Sequence, residues 1–395
     1  MVATLTEAGR ASGLLAARPA GRRVLTALPT LSPRMILPRL RTRPAPFPLG
    51  GAEVRRYYFA RNAVWEAARL LGLGGQEVLV PAYHHGVEVE ALAAAGAVPR
   101  FLRVDRRMRL DVEHLERSIG PRTRGLYVIH YLGFPQPMKA IAEVARRHGL
   151  PVLEDCALAL LSRDGAEPLG SRGDVGIFCL YKSLPVPNGG VLALNRDLDA
   201  AAPSRPAPLA STLSHATGSL LAHLALRYGP AGELVREALR RTQRAVRLAI
   251  GAQPLATGTM HFDPVAADVG MSALTRLILE NLDFDAIVEA RRRNWFLLFS
   301  RLRELAPPVQ IELPPGTCPL FYPLVVEDKA RVAARLAERG IETIEFWNSG
   351  HPSCDLALFP EVAALRRRVL ELPLHQDLDP DDVAYLAAAV EEALR

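Results

Sequence analysis

Between Glu77 and Asp155 short apolar runs alternate with stretches of helical periodicity, and few folds accommodate that alternation. The apolar runs fall at 77–81, 98–104, 125–130 and 151–154, and the helical patterns at 86–95, 111–118 and 138–148. This order predicts an α/β fold built on a doubly wound, mainly parallel sheet. In such a sheet ligands bind beyond the carboxyl ends of the strands, where His84, His85, His130, Gly133 and Asp155 all fall. Asp155 closes an apolar run, so a carboxylate is delivered to the edge of the core. It can hold a ring nitrogen protonated or cap a helix.

A second constraint lies just downstream. An apolar run beginning at Gly173 ends on Lys182, a turn Pro187-Asn188-Gly189-Gly190 follows, and another apolar run begins. This reads as two buried strands joined by a tight loop that encloses Lys182. Of 48 basic residues only Lys139, Lys182 and Lys329 are lysines, so wherever a plain positive charge serves, arginine is used. What lysine alone offers is an amine that can lose its proton and attack a carbonyl to form a Schiff base. The alternative is a strand-end lysine whose ammonium snorkels to water.

With 395 residues and 49% apolar content, two or three domains and a large core are expected. The net charge of +6 is misleading, because residues 1–50 carry eight arginines against one glutamate, +7, which leaves −1 for the rest. A nearly neutral body argues against nucleic acid as a partner, and residues 1–50 read as a basic, flexible tail. The four cysteines show no paired spacing, no apolar run reaches 18 residues, and no secretion signal is evident; a cytoplasmic protein without disulfide, metal site or membrane span is expected.

From Tyr57 a helical pattern runs to Gly72, with Asn62 placed as its N-cap; its first amides, with Arg61, form a candidate anion site. Gly72-Leu-Gly-Gly75 follows a helix and precedes a strand, the wrong order for a dinucleotide fingerprint. Residues 196–265 contain a Pro-rich linker and two helical patterns, 211–228 and 231–250, and read as an inserted hairpin. Arg236, Arg240, Arg241, Arg244 and Arg247 share a face of the second helix, so residues 209–250 are a candidate contact for an anionic partner or membrane surface, or a solvated face packed in a dimer. A long helix over 284–305 ends the large domain (51–305), and Pro307-Pro308 opens a smaller one (306–395) with strands at 318–326, 341–347 and 369–372 and helices at 328–339 and 380–394.

Taken in order, several of these motifs resemble the sugar aminotransferases of the DegT/StrS type over roughly residues 50–395. They are Val80-Pro-Ala-Tyr83 with Ala94-Ala-Gly-Ala-Val-Pro-Arg-Phe101, His130-Tyr-Leu-Gly-Phe-Pro135, Ala145–Asp155, Gly173-Asp-Val-Gly176 with Lys182 and Gly189-Gly190, and Leu372-Pro-Leu-His375. The resemblance implies the pyridoxal-phosphate fold type I, with a large domain and a small C-terminal α+β domain. It implies that Lys182 binds pyridoxal 5'-phosphate as a Schiff base, that Asp155 pairs with the pyridinium nitrogen, and that the backbone of Ala60, Arg61, Asn62 and Ala63 cradles the phosphate. His85 stands where the family stacks an aromatic ring, Cys179 where it has a serine, Leu158 where it has a glutamine, and Asp268 where an asparagine is lent by a neighbouring subunit. The implied function is transfer of an amino group from glutamate or a similar donor to a nucleotide-linked keto-sugar, in polysaccharide or glycoconjugate biosynthesis, by a homodimer. The alternative is a non-catalytic cofactor- or sugar-binding homologue.

Overall fold

The computed structural model describes residues 23–37, 44–51, 53–250, 261–345 and 347–395; the side chains of 242–250 lie outside the description. The chain runs β1 (Val54–Tyr57), α1 (Ala60–Leu70), β2 (Glu77–Pro81), α2 (Val87–Ala94), β3 (Val98–Leu102), α3 (Val112–Ser118), β4 (Thr123–Ile129), α4 (Met138–His148) and β5 (Val152–Asp155). A two-stranded ribbon, β6 (Arg163–Asp164) and β7 (Glu167–Pro168), leads to β8 (Val175–Cys179), the one-turn helix α5 (Leu180–Ser183) and β9 (Gly190–Leu194). The seven-stranded sheet has the order β1-β9-β8-β5-β4-β2-β3. Its β3, β2, β4, β5 and β8 are parallel, and β9 and β1 close one edge antiparallel. Every residue of β2, β5, β8 and β9 is buried, because helices cover both faces and no side needs polar residues.

The chain then forms α6 (Leu209–Ile250), α7 (Ala273–Glu280), α8 (Phe284–Leu302), β10 (Phe321–Val325), α9 (Lys329–Glu338), α10 (Pro360–Arg368), β11 (Val369–Pro373) and α11 (Pro380–Ala393). Helix α8 packs against β10 and α11. Its buried positions Phe284, Ile287, Arg291, Trp295, Leu298 and Leu302 follow helical spacing and form one stripe. The C-terminal part carries a two-stranded antiparallel sheet, β10 with β11, packed with α9 and α11.

Three expectations are corrected. The strand expected at 341–347 is only two isolated bridges, Leu25 to Ile341 and Ile344 to Glu371, because the chain turns at Trp347, whose φ is 56°. Arg366 takes the carbonyls of Trp347 and Ser349 that a ladder would use. Residues 23–37 are not a free tail: Val24, Leu25, Ala27 and Leu31 are buried, and Thr30 bonds Asp377. The charge of this region concealed that short apolar run, and residues 1–22 lie outside the described ones. The two inserted helices form as expected within Leu209–Ile250 and break at Gly229, at φ 56° and ψ −133°, with Gly232 pressed against the Leu224 carbonyl. Of the five arginines placed on one face, Arg236 is buried and paired with Glu233 and Glu342, so that face is not uniformly presented to solvent. The side chains of Arg244 and Arg247 lie outside the described residues.

Candidate active site

Lys182 sits on a turn of helix, not at a strand end. After β8 the chain makes one turn, closed by the Leu184 amide on the Leu180 carbonyl at 2.8 Å and tied to the next strand by the Leu180 amide on Gly189 at 2.9 Å. The two apolar runs are strands as expected, but the lysine lies between them and is half-buried. Its ammonium favours the ionised forms of Asp155, Glu88 and Cys179 and disfavours protonation of His85. His85 follows β2, Asp155 ends β5 and Lys182 follows β8, so they lie along the carboxyl edge of the sheet.

Asp155 ends β5. Burial pushes its carboxyl pKa up, opposed by an amide hydrogen bond from Ala157 at 2.8 Å, a hydroxyl bond from Tyr127 at 2.7 Å, and the charge of Lys182. Two fixed donors hold the carboxylate in place, and both its oxygens keep acceptor capacity. Cys179, at the end of β8, is buried, and burial raises its thiol pKa.

The three histidines divide by role. His130 donates to Glu154 at 2.9 Å and accepts from the Gln136 amide, while His84 bonds the Pro81 carbonyl and accepts from the His351 amide. Both are structural. His85 is different: burial first, then Lys182, push its pKa down to about 3, so the ring is neutral, and its Nδ1 is buried without a hydrogen-bond partner among the described residues.

Asn62 does not cap α1, which corrects the expectation. The helix begins after Phe59 with no side-chain cap; Asn62 lies inside it and donates to the Ala266 carbonyl at 2.9 Å. What stands at the helix start is Arg61, whose guanidinium lies 3.9 Å over the Phe59 ring. Burial disfavours its charge, and Tyr181 and Cys179, either side of Leu180, lie within its field. Gly190 closes the other side: a Cβ there would stand 2.3 Å from the Phe59 carbonyl and 2.5 Å from the Ala60 nitrogen. The helix start, the lysine turn and Arg61 thus form a cradle suited to an anion.

Asp268 is not part of this cluster. It is exposed and holds the Ser204 amide and hydroxyl. Leu158 is buried in the core, so no polar group stands at that position. Three residues went unread in the sequence. Tyr127 anchors Asp155, and Glu88 receives the amides of His85 at 2.8 Å and Gly86 at 3.1 Å. Arg291, fully buried in α8, donates to the Ser183 carbonyl at 2.9 Å. A signal existed for the last two, since each is a charge on an otherwise apolar helical stripe.

Residues 61–203 match the family model described as the DegT/DnrJ/EryC1/StrS aminotransferase family. A dTDP-4-dehydro-2,3,6-trideoxy-D-glucose 4-aminotransferase of Saccharopolyspora spinosa is 26% identical over 84% of this chain and 82% of its own. The family's signature thus lies within 61–203, about a third of the chain. A UDP-N-acetyl-3-dehydro-alpha-D-glucosamine 3-aminotransferase of Acidithiobacillus ferrooxidans is 34% identical, over only 35% of this chain and 38% of its own length. Among solved structures, the aminotransferase TlmJ from Streptoalloteichus hindustanus is 25% identical over 87% of this chain and 86% of its own, with a TM-score of 0.59. The Spr1654 protein of Streptococcus pneumoniae, in its PLP form, shares the fold at 17% identity over 87% of each chain, with a TM-score of 0.63. The fold is thus fold type I, and the cofactor it implies is pyridoxal 5'-phosphate. The site fits that group: Gly190 packs against a helix start beside a guanidinium, Asp155 is fixed by two donors with acceptor capacity to spare, and the Nδ1 of neutral His85 is buried without a partner among the described residues.

Proposed function

We propose that the chain is an aminotransferase that moves an amino group from glutamate or a similar amino acid onto a nucleotide-linked keto-sugar. The observation that carries this reading is the convergence of Lys182, Asp155 and His85 at one sheet edge beside an anion cradle. Pyridoxal phosphate, when bound, supplies an electron sink for the bond broken at the substrate carbon. Lys182 would hold it through its ε-amine, and that Nζ then carries the proton to and from the substrate carbon. Asp155, pinned by Tyr127 and Ala157, keeps a proton at the ring nitrogen. The amides of 60–63 and Arg61 bind the phosphate, and neutral His85 lines the site without adding charge.

Asp268 stands outside its own pocket, which supports its supply to the site of a second copy in a homodimer. The named activities of the relatives support sugars linked to UDP or dTDP as substrates. The test is to load the protein with pyridoxamine phosphate and follow its spectral conversion with a panel of dTDP- and UDP-linked keto-sugars, with pyruvate as the comparison. Conversion by a nucleotide keto-sugar is expected. Conversion by simple 2-keto acids alone would sink the reading.

A further inference from the structure

We propose that Arg291 is a positioning residue that couples the small domain to the Lys182 turn. The inference rests on the aminotransferase reading of that turn. The guanidinium, 1% exposed, donates from Nη2 to the Ser183 carbonyl at 2.9 Å, from Nη1 to the Leu320 and Pro319 carbonyls at 3.0 and 3.2 Å, and from Nε to the Gln376 side-chain oxygen at 3.0 Å. One planar fork therefore ties the residue after Lys182 to the segment leading into β10 and to the residue following the Leu372–His375 motif. Gln376 itself reaches the Ser183 carbonyl at 3.4 Å.

The lysine turn needs such a tie. A single helical turn fixes several backbone angles for one internal hydrogen bond and does not hold its orientation alone. Leu180 is anchored by Gly189 at the start of the turn, and its C-terminal carbonyl is anchored by Arg291. Arg291 makes no ion pair within 4 Å among the described residues, and burial works against its charge. A buried cation without a carboxylate is an expensive tether. Its use here is accounted for by geometry: five donors in a rigid plane can span carbonyls from three segments, which an ammonium cannot. Movement of Pro319, Leu320 or Gln376 is thereby transmitted to the residue beside Lys182.

The test uses the full chain with pyridoxal phosphate as probe, reading the visible chromophore, borohydride labelling of the Lys182 peptide, and the melting temperature. Wild type must first label at Lys182; failure there overturns the aminotransferase reading and this inference with it. Arg291→Ala should weaken cofactor binding and labelling about ten- to hundredfold, the equivalent of one charged hydrogen-bond network. Millimolar guanidinium, but not potassium chloride of equal ionic strength, should restore most of the labelling. Arg291→Lys should remain impaired and unresponsive to guanidinium, since the ammonium fills the site without spanning it. Wild-type binding and labelling in either variant would overturn the proposal, as would a fall in melting temperature with no guanidinium-specific recovery. If Arg291→Ala does not fold, Arg291→Lys decides alone.

Discussion

Gly190→Ala probes the cradle from its tightest point. The added Cβ would meet the Phe59 carbonyl carbon and oxygen at 2.3 Å and the Ala60 nitrogen at 2.5 Å, all backbone atoms that no rotamer change can move. Restoring ordinary contact requires the start of α1 and the start of β9 to separate by roughly 1 Å, and β9 is held there by the pairing of Tyr57 with Gly190. Overpacking of this kind costs about 2–3 kcal/mol, which lowers the melting temperature by roughly 5–10 °C in a domain of this size. The same displacement should weaken pyridoxal-phosphate binding by about tenfold or more, because the phosphate amides and the lysine turn move apart. Thermal melts with and without cofactor, together with a spectrophotometric titration, read both effects. Gly218→Ala is the control: its Cβ would meet nothing within 4 Å inside a helix, so stability should hold or rise. A Gly190→Ala protein melting within about 1 °C of wild type with unchanged cofactor affinity refutes the cradle geometry.

Arg61→Ala should raise the dissociation constant for pyridoxal phosphate by about tenfold, as loss of a charge-assisted bond to phosphate, with the melt of the cofactor-free protein little changed; fluorescence titration checks it. Asp155→Asn should weaken cofactor binding by ten- to a hundredfold, roughly, because an amide cannot stabilise a positive ring nitrogen; equilibrium dialysis measures it. Glu154 gives a pH prediction. Burial opposes its ionisation, but His130 and the amides of Gly170, Arg172 and Gly173 outweigh burial and hold its pKa below 4.5. Its contribution is therefore present above the unfolded value and lost as pH falls through the folded one. Urea unfolding should show Glu154→Gln less stable than wild type by about 1–3 kcal/mol at pH 7, with the gap narrowing toward pH 3; a gap that widens on acidification contradicts the assignment.

Much of the fold was legible because fully buried parallel strands read as continuous apolar runs and the helices between them carry a clear period, as in 138–148, where Met138–His148 forms as expected. The site was legible as far as it lies at strand ends: Asp155 ends β5, His85 follows β2 and Lys182 follows β8. Roles set by tertiary bonds were not. Asn62 looks like a cap because it is a capping residue before an apolar period, yet the helix begins two residues earlier and its amide goes to Ala266. His84, His85 and His130 are indistinguishable in sequence; only the partners of the first and third show that His85 alone is left for the site. The packing of Val24 to Leu31 was hidden by surrounding arginines and prolines, whose composition dominates any window that contains them.

The chain's scarcity of lysine makes the cofactor-holding role proposed for Lys182 directly testable. The native protein is mixed with pyridoxal phosphate, reduced with borohydride, digested and analysed by mass spectrometry. Lys139 is exposed and Lys329 is buried against the Val369 carbonyl at 3.4 Å, so the two serve as internal controls for accessible and enclosed amines. A pyridoxyl adduct on the Lys182 peptide alone, absent from a Lys182→Arg protein that melts as wild type does, is the result expected. Labelling concentrated on Lys139 or Lys329, or a Lys182→Arg protein that keeps its visible chromophore through reduction, would contradict the account.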